Sequence, residues 1–164
     1  MDSPAPGPEL LGTRLRLLLG LLEADVAAVY SDLGLAEVRP RYTPVLRTLA
    51  RRGPSSIQDL AAAVGVTHSA ASQTVAHLVK DGLTVVGPGR DGRQRITSLT
   101  PKAESLLPAL DAEWEATTAA ATAFEAELSF PLSELIGEAL EALRRRPMRR
   151  RIADAAPHLI PGRN

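Results

Sequence analysis

The stretch that decides the fold is residues 60–83, LAAAVGVTHSAASQTVAHLVKDGL. Ile57, Leu60, Ala61 and Val64 are spaced three and four apart, one apolar stripe on a short helix. Gly65 follows where the chain must turn, because glycine alone takes a left-handed backbone without steric cost. Thr67 is placed to cap a second helix, on which Ala71, Val75, Leu78 and Val79 form a buried stripe. His68, Ser69, Ser72, Gln73 and His77 point the other way. That outer face is small, polar and uncharged for two turns, where a solvated helix would carry Glu and Lys. Short hydrogen-bonding side chains on a helix suit base edges in a DNA major groove.

Helix pairs joined by a tight turn also serve as protein-contact modules, so the pair alone leaves both readings open. The next segment separates them. Leu83-Thr84-Val85-Val86 and Arg93 to Leu99 are extended runs joined by the Gly/Asp-rich stretch Gly87-Pro88-Gly89-Arg90-Asp91-Gly92, a β-hairpin. Arg90 and Arg93 at its tip are expected to enter a minor groove, whose narrow walls concentrate negative potential. Arg95 and Thr97 alternate with Ile96 and are expected on the hairpin's outer face.

These residues resemble the MarR family of winged helix-turn-helix regulators. The likeness runs from about Arg39 to Ala103, through Tyr42-Thr43-Pro44, Leu60-Ala61, Gly65-Val66-Thr67, Ser72-Gln73-Thr74-Val75, Gly82-Leu83, the Asp91-Gly92-Arg93 loop and Leu99-Thr100-Pro101-Lys102. The resemblance implies a homodimer that binds double-stranded DNA at a palindromic operator, often loosened by a small phenolic ligand. Two departures stand out. The chain has no Cys, which removes thiol sensing. Its hairpin loop also carries Pro88 and Gly89 where many members have Asp and Pro.

A formal net charge of zero over 164 residues argues against DNA binding until it is mapped along the chain. Residues 1–38 carry −4, residues 39–99 carry +6, residues 100–142 carry −8 and residues 143–164 carry +6. Positive charge therefore coincides with the winged-helix segment, where phosphates would be met.

Outside that segment, Leu10, Leu11, Leu15, Leu18, Leu19, Leu22, Val26 and Val29 mark a long amphipathic helix ending near Gly34. A helix after Pro101 runs toward Phe124, and Pro131 is expected in the first turn of another. Their apolar stripes must be buried. An intertwined two-fold dimer achieves this economically, with an enlarged monomer core as the rival, so both ends read as dimerisation arms. The expected fold is mainly α with a small β-hairpin wing. It comprises a leader (residues 1–8), an N-terminal dimerisation helix (9–38), a winged helix-turn-helix (39–100), C-terminal dimerisation helices (101–146) and a basic tail (147–164).

Nothing in the chain reads as catalytic. His68, His77 and His158 have no metal-ligand spacing, no glycine loop joins a strand to a helix, and no serine sits in a nucleophile elbow. No cofactor is expected. No run approaches the roughly 18 apolar residues of a membrane helix, and a cytoplasmic regulator, a repressor by resemblance, is the expectation.

The expected base readers are Ser69, Ser72 and Gln73, with His68 beside them. Thr67, Ser55, Ser56, Arg51 and Arg52 are expected phosphate contacts, and Arg90 with Arg93 groove contacts. Tyr42, Arg41 and Trp114 are expected to line a cleft, near His68, for a small aromatic ligand. The alternative is a winged-helix protein-interaction module that binds no DNA.

Overall fold

A computed structural model describes residues 7–89, 92 and 94–159. It divides into two compact units, the first ending at Glu115 and the second beginning at Ala116.

In the first unit, α1 (Leu11–Asp32) is followed by α2 (Thr43–Arg52), β1 (Ser55–Ser56), α3 (Ile57–Val64), α4 (His68–Lys80), β2 (Thr84–Pro88), β3 (Arg95–Leu99) and the first part of α5 (Pro101–Ala126). Short 3-10 turns, Pro8–Leu10 and Pro40–Tyr42, precede α1 and α2. The hydrophobic core gathers Tyr30, Leu35, Val38, Tyr42, Val45, Leu46, Leu49, Leu60, Val75, Leu78, Leu83, Ala103 and Leu110. Of α1 only Tyr30 is buried, with Val26 packed beside the core, while Leu11, Leu15, Leu17, Leu19, Leu21, Leu22 and Val29 are exposed.

The hairpin strands pair antiparallel, Thr84 opposite Leu99 through to Pro88 opposite Arg95. β1 adds a third strand on the other side of β3, Ser55 opposite Thr97 and Ser56 opposite Ile96. Opposed residues share a face of a sheet. Thr84, Val86, Thr97 and Leu99 therefore look inward, with Ser55 opposite Thr97. This corrects one expectation: Thr97 is fully buried and Ile96 takes the outer face, because the two-residue β1 and the β2 register turn Thr97 onto the core.

Thr100 fastens α5 to the end of α4. Its hydroxyl donates to the Gly82 carbonyl at 2.8 Å and accepts from Ala103 N–H at 3.2 Å, while its N–H reaches Leu83 O at 3.1 Å. Lys102 adds an ion pair with Glu37 at 2.6 Å.

In the second unit, α6 (Leu132–Arg145) and α7 (Met148–Ala155) follow the end of α5. Pro131 stands at the N-cap of α6, one residue ahead of its expected place inside the first turn. The expected basic tail is in part a helix, α7, entered through Pro147. Arg151 folds back to cap α6, reaching the carbonyls of Arg146 at 3.0 Å and Ala142 at 3.1 Å. Such bonds satisfy carbonyls that a helix C-terminus leaves unpaired. Leu135, Ile136, Leu140, Leu143, Met148 and Ile152 are exposed.

Candidate nucleic-acid interface

The first helix of the motif, α3, begins at Ser56, whose hydroxyl accepts from Asp59 N–H at 3.1 Å and donates to the Asp59 carboxylate at 2.7 Å. α3 ends at Gly65, which takes φ 76°, ψ 30°, the left-handed region that favours glycine. Two residues on, the Thr67 hydroxyl accepts from Ala70 N–H at 3.2 Å and opens α4. These short-range bonds fix how α4 leaves the turn.

Ala71, Val75 and Leu78 anchor α4 to the core. At 100° per residue, Ser69, Gln73, Ala76 and Lys80 fall on the opposite side, and all four are exposed. Ser72 lies half-buried on one flank, and His68 is exposed in the first turn. Val79, expected in the buried stripe, is 42% exposed, because only three α4 positions reach the core. Ala76 and Lys80 belong to the presented face as much as Gln73 does. Counting seven residues on from Ser69 and from Gln73 would have found them.

His77 leaves that face. Its ring stacks on Tyr42, centroids 5.8 Å apart at 18°, and its Nδ1 lies 2.8 Å from the Gln73 carbonyl.

At the hairpin end, Gly89 N–H donates to Gln94 O at 2.7 Å, closing the strands, and Arg95 is exposed beside it. Arg90 and Arg93 lie outside the described residues. Arg51 and Arg52 are exposed in the last turn of α2.

Two expectations about the site change. Ser55 and Ser56 are buried, at 8% exposure each. The Ser55 hydroxyl donates to Gly53 O at 2.9 Å, and that of Ser56 is spent on Asp59. Both serve the β1–α3 junction and leave the set of phosphate contacts.

The expected aromatic-ligand cleft also separates into parts. Tyr42 is a core residue, with the Arg41 guanidinium 5.1 Å from its ring centre and donating to its hydroxyl at 3.2 Å. Arg41 borders a hollow with Glu23, Ala27, Arg39 and Pro40. Trp114 lies instead beside Arg47, whose guanidinium sits 4.9 Å from the indole and pairs with Asp111 at 2.7 Å. His77, not His68, packs on Tyr42. Arg41 and Tyr42 stand in the 3-10 turn before α2 and Trp114 on α5, and the hollow that Arg41 borders shares no residue with the one that Trp114 borders.

Among the described residues there is no cluster of His, Asp and Glu fit to hold a metal, and no helix is long and apolar enough to cross a membrane.

Two helices at a glycine turn, a three-stranded sheet and a hairpin following α4 define a winged helix-turn-helix. Residues 37–94, which hold α2, β1, α3, α4 and β2 of the winged helix, match the sequence model of the MarR family. Solved structures agree on the fold. The M. tuberculosis transcriptional regulator MOSR, solved in complex with DNA, is 23% identical with a TM-score of 0.60, covering 80% of this chain and 96% of its own. The PcaV regulator of Streptomyces coelicolor, solved with its natural ligand, is 18% identical with a TM-score of 0.58, covering 89% and 97%. BpsR of Bordetella bronchiseptica, whose DNA binding is regulated by 6-hydroxynicotinic acid, is 19% identical with a TM-score of 0.57, covering 87% and 96%. No curated protein matches the chain by sequence.

Proposed function

We propose that the chain is a sequence-specific DNA-binding transcription regulator, a repressor that acts as a homodimer on a palindromic operator. The observation that carries this reading is the exposed face of α4. It offers Ser69, Gln73, Ala76 and Lys80 in one line, with a hairpin directly after the helix. Ser69, Ser72 and Gln73, with His68, read base edges by short hydrogen bonds, and the Ala76 methyl suits the methyl of thymine. Thr67, Arg51 and Arg52 hold register on phosphates, and Arg90 and Arg93 approach the minor groove.

The unburied leucines of α1 and the exposed apolar residues of α6 support the homodimer, since surfaces of that extent mark association sites. Two copies related by a two-fold axis would set their α4 helices about 10 base pairs apart. DNA-bound MOSR supports the DNA reading. PcaV and BpsR support release by a small aromatic ligand, for which Arg41 beside Tyr42 is the fitting anion partner in this chain.

Selection of bound sites from random duplex DNA tests this reading. The expected result is an enriched inverted repeat with half-sites one helical turn apart. Absence of enrichment, together with no salt-dependent binding to any duplex, would leave a protein-interaction module as the better account.

A further inference from the structure

A second basic site lies on the outer face of α2, away from Tyr42 and the core. Arg47, Thr48, Arg51 and Arg52 border a hollow of about 540 Å³ there, with Ala63 of α3 and Trp114 of α5 on its other walls. That volume falls within the roughly 300–1,000 Å³ of small-molecule sites.

Its charges are unevenly satisfied. Arg47 is held in place, its guanidinium bonded to Asp111 at 2.7 Å and lying over the Trp114 ring at 4.9 Å, with its side chain 12% exposed. Arg51 and Arg52 have no ion-pair partner among the described residues. Arg47 and Arg51, four residues apart on α2, are neighbours on its surface, and like charges so placed repel unless an anion joins them. The Thr48 hydroxyl donates to Pro44 O at 2.8 Å, which leaves its oxygen as an acceptor and the arginines as the donors. The hollow thus combines two unneutralised guanidinium forks, a third locked against an indole, and an apolar wall.

We propose that this hollow binds a ring-bearing phosphate monoester. A phosphate monoester carries about −1.5 to −2 at pH 7 and offers three acceptor oxygens, which matches two unpaired arginines; a monocarboxylate matches only one. The ring of such a ligand lies against Ala63 and the Trp114 side of the hollow. A nucleoside monophosphate and a simple aryl phosphate share this chemistry. Resting on the DNA reading above, the site is also regulatory, because a ligand that occupies Arg51 and Arg52 removes them from the DNA backbone.

Trp114 is the chain's one tryptophan, so its fluorescence reports on the hollow directly. The intact protein is titrated with phenyl phosphate, a nucleoside 5′-monophosphate, inorganic phosphate and benzoate. Saturable change with a ring-bearing phosphate, at an affinity at least about ten-fold above inorganic phosphate and benzoate, is the expected result. The tighter of the two ring-bearing probes names the source.

The double variant Arg51→Gln/Arg52→Gln, checked for an unchanged melting curve, is expected to lose at least about ten-fold in affinity. Arg51→Lys/Arg52→Lys, which keeps charge without the fork, is expected to fall between the two. No saturable change with either ring-bearing phosphate, benzoate binding equally well, or undiminished binding by a folded Gln variant would each overturn the proposal. Displacement of a DNA duplex by phenyl phosphate tests the regulatory half. Fluorescence binding without any DNA binding would overturn the proposed function and leave the site standing.

Discussion

The Tyr30 hydroxyl lies 2.7 Å from the Thr43 Oγ1, out of solvent, where α1 meets the start of α2. The buried Glu113 of α5 is also hydrogen-bonded to that hydroxyl, so three helices share one polar point inside an aliphatic core. Burial first, and then Glu113, push the Tyr30 hydroxyl from 10.0 up to about 12. The folded state thus holds this proton more tightly than the unfolded chain does. Its contribution is complete below pH 10 and is lost as pH rises from there toward 12, on the order of 2–3 kcal/mol in all. Chemical denaturation across that window is expected to show a steep alkaline loss of stability in the parent and a shallower one in Tyr30→Phe. Equal slopes would mean that Tyr30 ionises as freely folded as unfolded. At neutral pH the same substitution strands the Thr43 hydroxyl and is expected to cost about 1–2 kcal/mol.

Thr84 and Thr97 bury hydroxyl oxygens on the inward face of the sheet that have no hydrogen-bond partner among the described residues. Valine has the same shape without the polar atom. Thr97→Val is therefore expected to raise stability by about 1 kcal/mol in urea unfolding, since an unpaired buried hydroxyl is costlier than a methyl. A clear loss would show that the hydroxyl is satisfied in solution.

Gly65 holds a left-handed backbone, yet a methyl built there meets nothing within 4 Å. Gly65→Ala is therefore a test of backbone strain without steric clash. An expected loss of about 1 kcal/mol would be read from the denaturation midpoint. A neutral result would show that the turn relaxes at no cost.

Ser56→Ala separates two roles that the sequence assigns alike. With its hydroxyl spent on Asp59, the substitution is expected to lower stability by about 1 kcal/mol and to leave the salt dependence of DNA binding unchanged. A shallower salt slope would return Ser56 to the phosphate contacts.

Gln73→Ala is expected to cost about 1–3 kcal/mol at one base pair of the operator and to relax the preference there. Binding measured against all four bases at each position gives the answer. A uniform loss across every sequence would show that Gln73 positions the helix rather than reading a base.

What the sequence displays is the chemistry that acts over a few residues. Gly65 and Thr67 do what their neighbours imply, because a left-handed turn and a helix cap are settled within three or four positions. β1 could not be read the same way. Two serines become a strand only through pairing with Thr97 and Ile96, some forty residues on, and that pairing also turns Thr97 inward. Helix α7 was concealed by its arginines, which look like a solvated run until Arg151 is seen closing the end of α6. In the site, the exposed line on α4 follows from periodicity alone. The fate of Tyr42, Arg41 and Trp114 depends on which side of α2 each neighbour occupies, and only tertiary packing decides that.

Ser69, Gln73 and Ala76 put no charge at the centre of the reading helix, while Arg51 and Arg52 sit on another element. In the function proposed above, strength of attachment and choice of site then belong to separate parts. A descendant of this protein could trade its operator for another by exchanging α4 side chains alone. Its tolerance of the salt around it would pass through that change intact.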